Sequence, residues 1–184
     1  MTNISPYYLS LLVAFTPLLG AISGLVSRTI KPRTAEIFTT ALAFIALAAS
    51  LGVFYLVVIG GNSYNYKLVK WIDVANFKAW WSIKIDPLTA IMYVVVTSVS
   101  SLVHLYSIGY MHHDPHRARF MAYLSLFTFA MLMLVSSDNF LQLFFGWEGV
   151  GLCSYLLIGF WFKKDTATAA AMKAFIVNRV GDIG

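Results

Sequence analysis

Residues 144–161 read FFGWEGVGLCSYLLIGFW, and this stretch is apolar enough to lie within a lipid bilayer. It nevertheless places one carboxylate, Glu148, near its middle, roughly 15 Å along the predicted helix. An ionisable side chain at that depth costs at least a few kcal/mol, so such groups usually face a protein interior or a water-filled path. Glu148 is therefore the first candidate for a functional residue.

The composition of the whole chain indicates a membrane protein. Its 184 residues are 59% hydrophobic and only 11% charged, whereas soluble domains carry about a quarter charged residues. The net charge of +5 comes from short clusters between apolar runs, which is where topology-setting cations occur. We therefore expect contact with the lipid bilayer and none with nucleic acid. The single cysteine, Cys153, excludes an intramolecular disulfide.

The apolar runs predict an all-α polytopic membrane protein with about six transmembrane helices. The N-terminus lacks the basic residues of a cleaved signal peptide, so the first run is interpreted as a retained span. In that span, Gly20 and Gly24 predict close approach of another helix. The predicted spans lie at about 7–27, 35–59, 86–109, 118–136, 139–162 and from 166 onward.

Between the second and third predicted spans the pattern changes from helical to alternating. Residues 77–85 alternate apolar and polar side chains, and residues 67–74 are rich in β-branched and aromatic types. These features predict a β-hairpin at about 66–85, outside the bilayer, with its turn at Ala75-Asn76. An isolated hairpin is only marginally stable, so we expect it to contact a neighbour. The alternative is an irregular interfacial loop.

The third predicted span has a helical cap and a polar side. Asp86 is suited to cap the helix, and Pro87 fits its first turn. His104 lies at helical spacing among hydroxyl side chains, which together could hold water and relay protons. The alternative is a hydrogen-bonding face between helices. The hydroxyl residues of this stripe are Thr97, Ser100, Ser101 and Ser107.

The loop MHHDPHRAR (111–119) is rich in histidine but predicts no metal site. Its spacing is not diagnostic of metal ligands, and Pro115 interrupts helical pairing of the histidines. The whole chain also lacks a nucleotide-binding glycine pattern, a cysteine cluster and a nucleophile arrangement. We therefore predict no cofactor-binding residues here and expect any redox chemistry in another subunit.

The sixth predicted span contains further charged residues. Arg179 and Asp182 are three residues apart, so they are predicted to form an ion pair on one helix face, while Lys173 points elsewhere. A buried lysine loses its proton more readily than an arginine, although a lysine near a helix start also snorkels to the interface. Tyr155, on the face of Glu148, is a possible hydrogen-bond donor. From the residues alone, the titratable candidates for proton transfer are Glu148 and Lys173, with His104 and Tyr155 as supporting polar positions and Arg179 with Asp182 as a lasting ion pair.

The distribution of cations predicts the orientation. Seven lie in the first, third and fifth connections and four in the hairpin segment. The positive-inside rule then places the odd connections in the cytoplasm or matrix and the N-terminus on the outer (periplasmic or intermembrane) side. The seven are Arg28, Lys31, Arg33, Arg117, Arg119, Lys163 and Lys164, and the four are Lys67, Lys70, Lys78 and Lys84.

Three segments carry a resemblance to a known family. They are VHLYSIGYM (103–111), the region 134–161 around GWEGVGLCSYLLIGFW, and MKAFIVNRVGDIG (172–184). They resemble the antiporter-like chain L of bacterial NADH–quinone oxidoreductase, equivalent to chain 5 of mitochondrial NADH–ubiquinone oxidoreductase, complex I. The resemblance covers essentially the whole chain. Chains M and N, and the large chain of multisubunit sodium/proton antiporters, are similar around the glutamate but differ in the flanking GLCSYLL.

The resemblance implies two inverted five-helix repeats, each with a proton half-channel. Residues 1–117 would then form helices one to three with the hairpin, and residues 118–184 would begin the first repeat as helices four to six. It implies that Glu148 pairs with a lysine on a seventh span, and that Lys173, Arg179 and Asp182 take part in proton transfer or its coupling. Because family members are much longer, we expect a truncated, split or incomplete chain.

The resemblance also implies an assembly. Its partners would be other complex I membrane subunits, notably the chain M-type antiporter-like subunit, in a bacterial plasma membrane or mitochondrial inner membrane. NADH, flavin, iron–sulfur clusters and quinone would bind in partner subunits. Three functions remain open: a proton-translocating subunit of an NADH–quinone oxidoreductase, a subunit of a sodium/proton antiporter, and a scaffold that moves no protons.

Overall fold

Six long helices and one β-hairpin form the part of the chain that the structure, a computed structural model, describes: residues 6–26, 32–74 and 77–183. The helix α2 ends in one π-helical turn, Tyr55–Ile59. Gly61, with φ of 68°, then starts the path into the hairpin in a conformation that favours glycine. The elements are α1 Pro6–Val26, α2 Pro32–Phe54, β1 Tyr64–Val74, β2 Phe77–Ile85, α3 Pro87–Tyr110, α4 Arg117–Val135, α5 Phe140–Ile158 and α6 Asp165–Ile183.

Five of these helices, α1 to α5, are long and apolar enough to cross a membrane. Large apolar side chains such as Leu19, Phe38 and Leu102 face outward along them, as contact with lipid requires. This confirms the predicted all-α polytopic membrane class. The sixth predicted span is present as α6, but its four charged residues keep it out of that group of five.

The helix α4 lies at the centre of the bundle and contacts α1, α2, α3 and α5. Its contact with α1 depends on the two glycines predicted to admit a neighbour. A Cβ on Gly20 would lie 3.1 Å from Ser125 Oγ, and one on Gly24 would lie 3.0 Å from Ala122 Cβ. Small residues therefore allow these two helices to approach closely.

The hairpin forms as predicted, with β1 and β2 antiparallel from the pair Tyr64–Ile85 to the pair Val74–Phe77. Its predicted turn, Ala75-Asn76, lies outside the described residues. On β2 the alternating pattern is visible in part: Ala79, Ile83 and Ile85 are buried and Lys78 and Lys84 are exposed. Ser82, which has the same parity as the lysines, is buried as well.

The outer edge of β2 is covered by the α4–α5 connection and the first turn of α5. Gln142, fully buried, accepts the backbone N–H of Ser82 through Oε1 (3.0 Å) and donates from Nε2 to its carbonyl (2.7 Å). Its amide thus replaces a strand partner, and the edge is closed. Two further bonds run from Asn139 Nδ2 to the Trp80 carbonyl (2.8 Å) and from the Lys84 N–H to the Ser136 carbonyl (3.0 Å).

Candidate functional site

The position of Glu148 is set by the start of α5. Asn139 caps this helix by accepting the backbone N–H of Gln142 (2.9 Å). Because α5 begins at Phe140, Glu148 lies about 12 Å along it. The Glu148 side chain is 19% exposed within the described chain. Its carboxylate is therefore held at mid-helix depth by a helix whose start is anchored to the hairpin.

The cation that meets Glu148 is Arg179 of α6, and the two side chains form an ion pair. The predicted pair between Arg179 and Asp182 is wrong, since the guanidinium points across to α5 instead of along its own helix. The lysine that the resemblance assigns to a seventh span has no counterpart in this contact. Spacing along α6 gave no information on this pair, because the partner lies on another helix.

Arg179 also contacts an aromatic ring of its own helix, and that ring contacts a tyrosine of α5. Its guanidinium lies over the ring of Phe175, 4.9 Å from the centroid, which is within cation–π range. The ring of Phe175 in turn meets Tyr155 edge-on at 5.5 Å. The hydroxyl of Tyr155 has no hydrogen bond to any described residue, so this side chain reaches the site only through ring contacts.

Asp182 has a different partner from the predicted one. Trp147 donates its indole N–H to the Asp182 carboxylate (2.6 Å), which makes a second polar tie between α5 and α6. Since Trp147 precedes Glu148, adjacent residues of α5 hold two of the four charged residues of α6, Asp182 and Arg179. The two ties set the rotation of α6 relative to α5.

The glycines around Glu148 serve close packing against α4. A Cβ on Gly146 would lie 2.7 Å from Leu134 Cα and N, and one on Gly149 would lie 3.1 Å from Ala130 Cβ. Gly151 has nothing within 4 Å of such an atom and borders a cleft of about 620 Å³ between α4, α5 and α6. The polar residues of this cleft are Ser154, Asn178, Asp182 and Trp147.

Lys173 is not brought to this group. It lies exposed on α6, and no ion pair or hydrogen bond joins it to another described residue. Its predicted role in proton transfer therefore has no support from contacts within this chain and stays a prediction.

His104 of α3 is buried and faces α4. Its Nδ1 is 2.8 Å from the Ser100 carbonyl, which only accepts, so Nδ1 carries a proton. In the neutral ring Nε2 then accepts from the hydroxyl of Ser125 (3.0 Å), while Ser100 bonds Thr128 (2.6 Å). These contacts match the predicted alternative of a hydrogen-bonding face, and the relay role stays a prediction.

The histidine-rich loop makes ordinary surface contacts. Asp114 accepts the indole N–H of Trp161 (3.0 Å) and the backbone N–H of His116 (2.7 Å). Within the described ranges, no group of three or more His, Cys, Asp or Glu side chains is placed to hold a metal ion.

One buried ion pair was missed from the sequence. Glu36 on α2, 2% exposed, lies 3.1 Å from the Nε of Arg117 at the start of α4. No prediction was made for Glu36 from the sequence, where it stands near the start of the second predicted span. The signal was available, since Glu36 is the only carboxylate of the apolar run 35–59.

These contacts give one group suited to move charge. Glu148 binds or releases one proton, and the ion pair with Arg179 exists only in its ionised form. Asp182, three residues from Arg179, is a second carboxylate within reach of a released guanidinium. The group is therefore an ion pair with a built-in alternative partner.

Two family models match the chain. The NADH-ubiquinone oxidoreductase (complex I) chain 5 N-terminus matches residues 71–121. The NADH:quinone oxidoreductase/Mrp antiporter transmembrane region matches residues 137–184 and includes both Glu148 and Arg179. The two matches thus cover β2 and the end of β1 as well as the candidate site.

Relatives with known names match nearly the whole chain. NADH-quinone oxidoreductase subunit L of Rickettsia bellii is 54% identical over 95% of this chain and 27% of its own length. NADH-ubiquinone oxidoreductase chain 5 of Metridium senile is 53% identical over 95% of this chain and 29% of its own. This chain therefore spans less than a third of these relatives.

A solved structure has the same fold. A chain of the Mrp complex from Dietzia sp. DQ12-45-1b matches with a TM-score of 0.75 and 25% identity. The match covers 95% of this chain and 18% of that one.

Proposed function

Because the chain belongs to the family of antiporter-like membrane subunits shared by complex I and Mrp assemblies, we propose that it is part of a proton-translocating subunit of an NADH–quinone oxidoreductase. Two of the relatives that it matches are named as subunit L and chain 5 of such enzymes. The observation that carries the proposal is the ion pair between Glu148 and Arg179 across α5 and α6.

The proposed step is a protonation of Glu148 that breaks the ion pair. When the carboxylate takes up a proton, the guanidinium of Arg179 loses its partner and turns toward Asp182 on the same helix. Release of that proton restores the pair. The proton thus changes the charge distribution between α5 and α6, and the reverse also holds: moving Arg179 away favours proton uptake by Glu148.

The remaining roles follow from this premise. Lys173, Tyr155 and His104 are proposed as further polar positions of the path. Residues 118–184 would begin the first repeat, after the helices and hairpin of residues 1–117. The N-terminus would face the outer side of a bacterial plasma membrane or mitochondrial inner membrane, by the positive-inside rule.

The redox reaction would take place elsewhere in the assembly. NADH, flavin, iron–sulfur clusters and quinone are proposed to bind in partner subunits, and the chain M-type subunit is proposed as a membrane neighbour. Quinone reduction would then supply the free energy that moves Arg179 and so drives the protonation of Glu148.

The test is Glu148→Gln in the whole enzyme, with proton translocation measured per electron during NADH oxidation. We expect fewer protons per electron, with NADH oxidation retained. The matched control is Asp165→Asn, which changes an exposed carboxylate at the start of α6. An unchanged ratio in Glu148→Gln would rule out proton transfer through this residue.

A sodium/proton antiporter subunit is the second candidate. It is favoured by the structural match to the Mrp complex and by the shared transmembrane family model. The proteins that copurify with this chain distinguish the two: quinone-oxidoreductase subunits support the first proposal, and antiporter subunits support the second.

A further inference from the structure

A small cavity of about 210 Å³, with a mixed apolar and polar lining, lies between the first turns of α4, the end of α5 and the start of α6. It is separate from the ion pair of Glu148 and Arg179, neither of which lines it. The cavity is several times larger than the roughly 30 Å³ that one water molecule occupies in the liquid. Its polar lining consists of Arg119, Tyr123, Tyr155 and Thr168.

Three donors on this lining lack a partner among the described residues. The Nε of Arg119 is fully buried and has no hydrogen bond. The hydroxyls of Tyr123 and Tyr155 also bond to no residue in the described ranges. A buried donor without a partner costs about 1–3 kcal/mol, and this applies to the Nε of Arg119. Together with the two half-buried tyrosines beside it, it indicates that an acceptor from outside the chain occupies the cavity.

The cation of this cavity is fixed in place. Arg119 donates from one terminal nitrogen to the Phe160 carbonyl (3.1 Å), and its guanidinium lies over the rings of Phe160 (4.8 Å) and Phe162 (5.3 Å). No carboxylate lines the cavity. The nearby Asp114 is already bonded to Trp161 and His116. The charge of Arg119 is therefore not neutralised by an acidic side chain of the described chain.

The cavity lies at the edge of the membrane-spanning part. It is next to the end of α5 and shares this end of the bundle with Lys163, Lys164 and the aromatic Trp161. Aromatic and basic side chains together are typical of the headgroup level on the positive side of a membrane protein. An acceptor that reaches this depth from the bilayer is the phosphate of a lipid.

We propose that the cavity binds the phosphate group of an anionic phospholipid, held by Arg119 with Tyr123 and Tyr155. The arginine supplies a charge-assisted hydrogen bond to a phosphate oxygen, and the tyrosines donate to the others. This site involves neither Glu148 nor Arg179 and shares only Tyr155 with the proposed proton path.

The test uses the complete membrane complex that contains this chain, reconstituted in phosphatidylcholine vesicles with a photoreactive phosphatidylglycerol. Crosslinks to the chain are mapped by mass spectrometry. We expect crosslinks to the lining residues that decrease about tenfold in Arg119→Gln and about threefold in Tyr123→Phe, as loss of a charged and a neutral hydrogen bond predicts. Lys163→Gln, which changes an exposed cation outside the lining, is the matched control and should leave the yield unchanged.

Two results would overturn the proposal. One is an equal crosslink yield in the wild type, Arg119→Gln and Tyr123→Phe. The other is complete loss of the wild-type crosslink on addition of inorganic phosphate, which would assign the cavity to a soluble anion. If Arg119→Gln fails to assemble, the crosslink yield is compared between the wild type, Tyr123→Phe and Arg119→Lys. Tyr123→Phe keeps the aromatic ring, and Arg119→Lys keeps the positive charge.

Discussion

Arg179 forms its ion pair with Glu148 on the neighbouring helix, although Asp182 lies only three residues away on its own helix. Asp182 is held by the indole N–H of Trp147 instead. One guanidinium thus has two carboxylates within reach, and a hydrogen bond keeps one of them engaged. The proposed function depends on Arg179 pairing with Glu148 while Asp182 is bonded to Trp147.

Removing the indole donor should change which carboxylate pairs with Arg179. In Trp147→Phe the ring remains but Asp182 loses its hydrogen bond, so it competes with Glu148 for Arg179. We expect a lower ratio of protons translocated per electron, measured in vesicles during NADH oxidation. The double variant Trp147→Phe with Asp182→Asn should recover part of the ratio, because the competing charge is gone. No recovery would mean that Trp147 acts only through packing.

Gly146 should not tolerate a side chain. A Cβ there would lie 2.7 Å from the backbone of Leu134, so Gly146→Ala must push α5 away from α4. We expect a loss of about 1–3 kcal/mol in the free energy of unfolding, as for overpacked cores, measured by thermal unfolding in detergent. Gly151→Ala is the control, since it meets nothing within 4 Å and alanine favours a helix. Equal effects of the two variants would contradict the close packing.

Two ion pairs of the chain should differ strongly in their contribution to stability. Glu36→Gln leaves the largely buried guanidinium of Arg117 without its counter-charge, and we expect a loss of about 3 kcal/mol. Asp73→Asn removes the pair with Lys70, which is about 40% exposed on both sides, and should cost about 0–1 kcal/mol. Unfolding by denaturant in micelles compares the two, and similar losses would argue against burial as the cause.

The cap of α3 should make stability depend on pH. The carboxylate of Asp86 accepts the backbone N–H of Thr89 (2.7 Å), and this hydrogen bond lowers the pKa of Asp86 from its ordinary 3.8. Desolvation raises the pKa, but by less. A lowered folded-state pKa stabilises the fold above the unfolded value, and this stabilisation is lost as the pH falls through the folded value. Thermal unfolding between about pH 7 and about pH 3 should show a steeper loss in the wild type than in Asp86→Asn. Parallel curves would contradict this assignment.

Much of the fold was predictable from local patterns. Apolar runs predicted the helices, alternation of apolar and polar residues predicted the hairpin, and Asp86-Pro87 predicted the start of α3. The sequence did not predict that Gln142 closes the edge of β2, because the residues that bond lie 60 positions apart. In the sequence, this role of Gln142 was indicated only by its being a polar residue within an apolar run.

The candidate site was predictable in its members but not in its contacts. Glu148, Arg179 and Asp182 stood out as charges in apolar helices. Their pairing depends on how α6 is rotated against α5, where Trp147 also bonds Asp182. Spacing within one helix favoured Arg179 with Asp182, and tertiary packing placed the guanidinium against Glu148 instead.

The most direct test of the central claim is a double-mutant cycle on the ion pair. Protons translocated per electron are measured for the wild type, Glu148→Gln, Arg179→Gln and the double variant in the complete enzyme. If the pair acts as a unit, each single variant lowers the ratio and the double variant is no worse than Glu148→Gln alone. Losses that simply add in the double variant would contradict a shared role for Glu148 and Arg179.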